Sequence, residues 1–153
     1  MTLATHERLS IHDIDPAATE AVLALERYVR ASDLEARLLD LIKIRASQLN
    51  GCAFCLDMHH REAREHGELQ RRLDALAGWH EIPDWYTDRE RAALALTESV
   101  TRIGERGVPD PVWEQARAQF SDPELVDLLL AIAAINVWNR LAVATHQQPP
   151  LDV

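Results

Sequence analysis

Residues 40–60 read DLIKIRASQLNGCAFCLDMHH, and the reading of this stretch sets the fold of the chain. It breaks at Asn50-Gly51, two residues that tolerate positive φ, with glycine readily ending a helix. Upstream, Leu38, Leu41, Ile42, Ile44 and Leu49 supply the inward positions of one helix. Downstream, Cys52 and Cys55, the chain's 2 cysteines, are followed by His59. At ~100° per residue a helix running from Cys52 to near Gly67 carries all three side chains on one face. The local expectation is an αα-hairpin with C-x-x-C opening its second helix. Antiparallel pairing across the turn then sets Asp40 opposite His59 or His60.

Two thiols within reach of each other, beside an imidazole that accepts a proton, form a minimal thiol-redox centre. A carboxylate on that imidazole would fix its tautomer and raise its basicity, the role open to Asp40. Plainer readings stand beside these. Free cysteines pack as small hydrophobes, and Asp40 suits a helix-surface carboxylate near Lys43. Zinc is a further alternative, held by Cys52, Cys55 and His59 with Asp40 or His60 as fourth ligand. Two effects compete over which sulfur reacts first. The helix N-terminus lowers the thiol pKa of Cys52, whereas His59 lies one turn from Cys55.

The rest of the chain reads as helices. Residues 1–14 form an irregular lead-in. Asp15-Pro16 opens a helix to about Ala31, with Ala21, Val22, Leu25, Tyr28 and Val29 on its apolar face. Ser32-x-x-Glu35 has the form of a capping box for the helix that ends at the Asn50-Gly51 turn. A short helix is expected from Leu69 to Ala77, and GWHEIPDWY reads as a loop held by Trp79 and Trp85. Thr87-x-x-Glu90 caps a helix to about Ile103, and GERGVPDP is a second break. Residues 112–120 form a short helix, and Ser121-x-x-Glu124 caps the last one, to about Ala144. No segment alternates with period two for long enough to make a strand. The expected class is all-α, with six to seven helices in a single domain, 1–153.

Composition narrows the function. Hydrophobic residues are 47% of the chain but aromatic ones only 5%, so aliphatic side chains must fill the core. With 25 acidic against 16 basic residues, net charge −9, and no basic cluster, a nucleic-acid partner is disfavoured. The N-terminal MTLATHERLSIHD lacks the pattern of a secretory signal, and no eighteen-residue uninterrupted apolar run suggests a membrane span. The expectation is a cytoplasmic protein without membrane association, where a close cysteine pair is catalytic or metal-binding rather than a permanent staple.

The run LIKIRASQLNGCAFCLDMH, followed by EAREHGE, resembles the carboxymuconolactone decarboxylase family, in its alkylhydroperoxidase D-like (AhpD-like) branch. Weaker matches are RERAALALTESVT at 89–101 and NVWNRLAV at 136–143. Asp40 departs from the pattern, standing where the family usually has glutamate. The resemblance implies a thiol-dependent hydroperoxidase in which Cys55 attacks a small peroxide and Cys52 resolves the sulfenic acid. His59 with Asp40 would relay the proton. It implies an external dithiol or lipoyl-bearing protein as reductant, sometimes alongside a peroxiredoxin. It also implies a homo-oligomer, trimer or hexamer, and no cofactor or metal. The decarboxylase branch, a lyase acting on a lactone, is the alternative; by the same resemblance it does not rely on a cysteine pair. A non-enzymatic helical interaction module is the other.

Overall fold

The structure, a computed structural model, describes residues 7–151. Several helices begin at a local capping signal. Ser10 caps a single turn, α1 (Ile11–Ile14), by accepting from the Asp13 N–H. This turn lies inside the expected irregular lead-in, whose residues 1–6 fall outside the described ones. Asp15 then caps α2 (Pro16–Arg30), its carboxylate accepting from Ala17 and Ala18. Proline at the first helical position costs nothing there, because that N–H has no intrahelical partner.

The hairpin is formed by α3 (Ala36–Asn50) and α4 (Ala53–Glu65). Gly51 links them in the left-handed region, at φ 66°. After α5 (Gln70–Asp74) the chain makes two 3-10 segments, Leu76–Glu81 and Pro83–Trp85, where the sequence suggested a loop. Trp79 does anchor this stretch: its indole donates to Glu98 at 2.8 Å. Helices α6 (Asp88–Thr101), α7 (Asp110–Gln119) and α8 (Asp122–Thr145) complete the chain. The capping boxes at Thr87–Glu90 and Ser121–Glu124 are both formed. The protein is all-α, and its described residues contain no strand, only an isolated Gly104–Gly107 bridge.

The capping box expected at Ser32–Glu35 is not made. Glu35 itself occupies the N-cap of α3 and offers no side-chain bond to the helix. Ser32 instead donates to the Val29 carbonyl at 2.7 Å, closing α2, while Glu35 accepts from Arg89 of α6 at 3.0 Å. A tertiary ion pair has taken the side chain that the local motif needed.

Helix α3 lies at the centre, packed on α4, α6 and α8. The main core gathers Val29, Leu38, Ile42, Leu96, Leu128 and Ile132 from α2, α3, α6 and α8. A smaller core of Ala46, Cys52, Cys55, Ile135 and Ala142 lies at the hairpin turn, flanked by Phe54 and Trp138. By length and composition α8 would suffice to cross a membrane, but Leu125, Leu128, Ala131, Ile132 and Ile135 are spent on the core. Amide side chains tie it to the turn and to the end of α6. Asn139 donates to Ser47 at 3.0 Å and accepts from Asn50 at 2.9 Å, and Asn136 donates to Thr101 at 2.9 Å.

Candidate redox site

Cys52 is the N-cap residue of α4, and its sulfur accepts from the Cys55 N–H at 3.3 Å. The Cys52 N–H donates back to the Ser47 carbonyl at 3.0 Å, so the turn holds this residue from both sides. The two cysteines are joined as a disulfide, with Cα atoms 5.4 Å apart. Each residue is 1% exposed, so any reagent must reach the sulfurs through a cavity. His59, one turn beyond Cys55 and 2% exposed, presents a buried Nε2 with no hydrogen-bond partner. A buried ring nitrogen left unpaired is costly in a resting fold, and such exceptions need an explanation. The helical placement of Cys52, Cys55 and His59 read from the spacing is the observed one.

Asp40 is placed differently. It contacts neither His59 nor His60; its carboxylate pairs with His66 Nδ1 at 2.7 Å. The reason is the turn. Counting outward from the Gly51–Cys52 link brings Asp40 level with Ala63, a full turn past His59, so the next histidine it meets is His66. Burial pushes the Asp40 carboxyl above its ordinary value, His66 pulls it back and Glu62 adds to the rise.

The carboxylate that does hold His59 is Glu62, three residues along the same helix, with Oε2 2.9 Å from Nδ1. The sequence carried this signal inside EAREHGE, since i and i+3 share a helix face. Arg30 of α2 donates to the other Glu62 oxygen at 3.0 Å. The His59 bond, then Arg30, draws the Glu62 carboxyl down to about 2. Arg30 also donates to Glu26 at 3.0 Å, and Glu26 takes a short ion pair from buried Lys43. Burial raises the Glu26 carboxyl, but the two cations reverse this and leave it below the ordinary value. The result is a chain of paired polar groups, His59–Glu62–Arg30–Glu26–Lys43, crossing from α4 through α2 to α3. Nothing local in the sequence announces the α2 members.

A cavity of about 310 Å³ opens onto Cys55 and His59. Leu23, Phe54, Met58, Trp138 and Ala142 make its apolar wall, with Glu26 and Arg30 at its polar side. Trp138 borders the same cavity as Cys55. His60 lines no described cavity around the sulfurs, and burial followed by Arg64 lowers its pKa. Among the described residues no three His, Cys, Asp or Glu side chains are grouped as a metal would require.

Known proteins are similar to this chain in sequence and fold. The profile of the Carboxymuconolactone decarboxylase family matches residues 16–99. The uncharacterised protein YdfG of Bacillus subtilis (strain 168) is 41% identical over 138 residues, 90% of this chain and 93% of its own. A crystal structure from Agrobacterium tumefaciens, a protein of unknown function provisionally named as the antioxidant defence protein AhpD, is 46% identical. It superposes with a TM-score of 0.92, covering 96% of this chain and all of its own. An uncharacterised peroxidase-related protein from Silicibacter sp. TM1040 shares the fold at 21% identity and TM-score 0.81, over 92% of this chain and 74% of its own. The chain belongs to the carboxymuconolactone decarboxylase family, in its AhpD-like branch.

Proposed function

We propose that the protein is a thiol-dependent peroxidase, an enzyme that reduces a hydroperoxide at Cys55 and stores the oxidation as the Cys52–Cys55 disulfide. The observation carrying this reading is the unpartnered Nε2 of His59 beside Cys55 on a cavity wall. Glu62, held ionised by Arg30, fixes Nδ1 of His59 as the protonated nitrogen and leaves Nε2 free to take the Cys55 proton. The thiolate attacks the terminal peroxide oxygen and the O–O bond breaks. The departing alkoxide leaves as alcohol with the proton from His59, and Cys55 becomes sulfenic acid. Cys52 attacks that sulfur, water leaves, and the disulfide forms. An external dithiol then returns both sulfurs to thiols by exchange. In the cytoplasm the pair would serve as such a working couple. Asp40, one layer away on His66, contributes only indirectly.

The test is to reduce the protein, add stoichiometric hydroperoxide and analyse the peptide spanning Cys52 and Cys55 by mass spectrometry. The expected product is an intramolecular disulfide that dithiothreitol reverses. Unmodified or only overoxidised cysteine would sink the proposal, and turnover of a lactone by the same sample would favour the decarboxylase after which the family is named.

A further inference from the structure

The two cysteines line different cavities. Cys55, with His59, lines the 310 Å³ cavity already described; Cys52 does not. Cys52 lines a second groove of about 230 Å³, walled by Gly51, Ala53, Val143, His146 and Gln148, which Cys55 does not reach. Phe54, Ala142 and Gln147 form the partition common to both. The characters of the walls differ as well. The first cavity is apolar, with the Glu26 carboxylate on its polar side; no carboxylate lines the second, whose rim carries an imidazole and two amides.

We infer that the disulfide is served through two separate doors: peroxide reaches Cys55 through the first cavity, and a small dithiol reductant attacks Cys52 through the second. The inference rests on the dithiol cycle proposed above. Thiol–disulfide exchange requires the incoming sulfur to approach along the S–S axis, from the side opposite the leaving sulfur. The groove that Cys52 lines and Cys55 does not is the route open to that approach. As the reductant's thiolate bonds to Cys52 Sγ, the Cys52–Cys55 bond breaks and its electron pair passes to Cys55 Sγ. That sulfur leaves as a thiolate and takes up the proton that the reductant's first thiol gave up on forming its thiolate, relayed by His59 Nε2, the nitrogen without another partner. The reductant's second thiol then attacks its own sulfur in the mixed disulfide. The reductant departs as a cyclic disulfide, oxidised by two electrons, and its second proton goes to Cys52.

The geometry explains why a dithiol suits the groove better than two monothiols, since a second molecule would have to enter a space already filled by the first. It also leaves Cys55, on release, paired with His59 and facing the peroxide cavity. The opposite route, attack at Cys55 through the first cavity, would make Cys52 the leaving group, where the Cys55 N–H would stabilise it. The two routes differ in which sulfur carries the mixed disulfide.

The experiment begins with the disulfide made chemically, by diamide, so that no peroxide is needed. The oxidised protein is mixed with glutathione, quenched in acid within seconds, alkylated and sequenced by tandem mass spectrometry. The glutathione adduct is expected on Cys52 and the alkyl label on Cys55; the reverse overturns the inference. A second arm measures the half-reactions separately. Because exchange depends on access to the attacked sulfur, Val143→Trp should slow reduction by dithiothreitol about tenfold while Val143→Ala does not. Leu23→Trp, in the other cavity, should slow oxidation by cumene hydroperoxide and spare reduction. Equal slowing of both steps by either tryptophan overturns the two-door arrangement. A protein that consumes no peroxide yet carries the adduct on Cys52 loses the peroxidase reading and the peroxide door with it, and keeps only the reductant's route to Cys52.

Discussion

Two carboxylate–histidine pairs lie one helical layer apart in the same hairpin, and they are opposites. In the first, Glu62 joins a 2%-exposed histidine, and that bond, with Arg30 behind it, draws its carboxyl down to about 2. In the second, Asp40 is itself the buried partner, its histidine is 41% exposed, and burial drives its carboxyl upward. The difference lies in what is set against burial: the bonds of Glu62 to His59 and Arg30 outweigh it, and the bond of Asp40 to His66 does not. A buried carboxylate with one neutral-to-cationic histidine is short of compensation, whereas one with an added guanidinium is ionised throughout the physiological range. Glu62 is therefore suited to orient a base, and Asp40 to lock α3 onto the end of α4.

The sharpest way to break this contrast is Glu62→Gln. A neutral amide no longer stabilises the His59 imidazolium, and peroxide-driven disulfide formation should fall by about a hundredfold, the scale of a lost general base. Measuring that rate against pH checks it; a variant matching the parent would return the orienting role to another group. Asp40→Asn is expected to be far milder, within about threefold, because general-base effects require direct or single-water contact with the reacting proton. Equal losses in the two variants would merge the pairs into one relay. Titration of stability gives the smallest and most diagnostic effect. Because the folded Glu62 carboxyl sits below its ordinary 4.5, its contribution is complete above that value and is lost as pH falls toward about 2. Asp40 has the opposite sign: its folded carboxyl lies above 3.8, so its ionisation costs stability as pH rises from there. Acid unfolding of Glu62→Gln should thus be flatter than that of the parent between about pH 4.5 and 2. Relative to the parent, Asp40→Asn should gain stability as pH rises above 3.8.

How much of this was legible in the sequence follows the range of each interaction. The turn at Asn50-Gly51, the cysteine spacing and the caps at Thr87 and Ser121 involve neighbours a few residues apart, and the periodic apolar positions brought the helices out. Glu35 misled because a distant side chain, Arg89, competed for it. Asp40 misled for a geometric reason: a shift of a few residues in the assumed centre of a hairpin moves the opposing residue by most of a turn. Glu62 was legible in principle at i+3 from His59, whereas Arg30, Glu26 and Lys43 meet only once α2 packs against the hairpin.

The amide side chains of α8 have a consequence for uniqueness. A helix that is apolar nearly all the way round gains almost as much from packing after a slide or rotation as before it, because hydrophobic burial is non-directional. Asn139 and Asn136 remove that freedom. Asn139 finds Ser47 and Asn50, and half-buried Asn136 finds Thr101, in one alignment only, and any other would leave the buried Asn139 amide unsatisfied. The dithiol walls contributed by Trp138 and Ala142 are thereby indexed to the hairpin turn. The polar rivets of α8 thus set the alignment of the reaction chamber, while its aliphatic side chains supply cohesion that is indifferent to it.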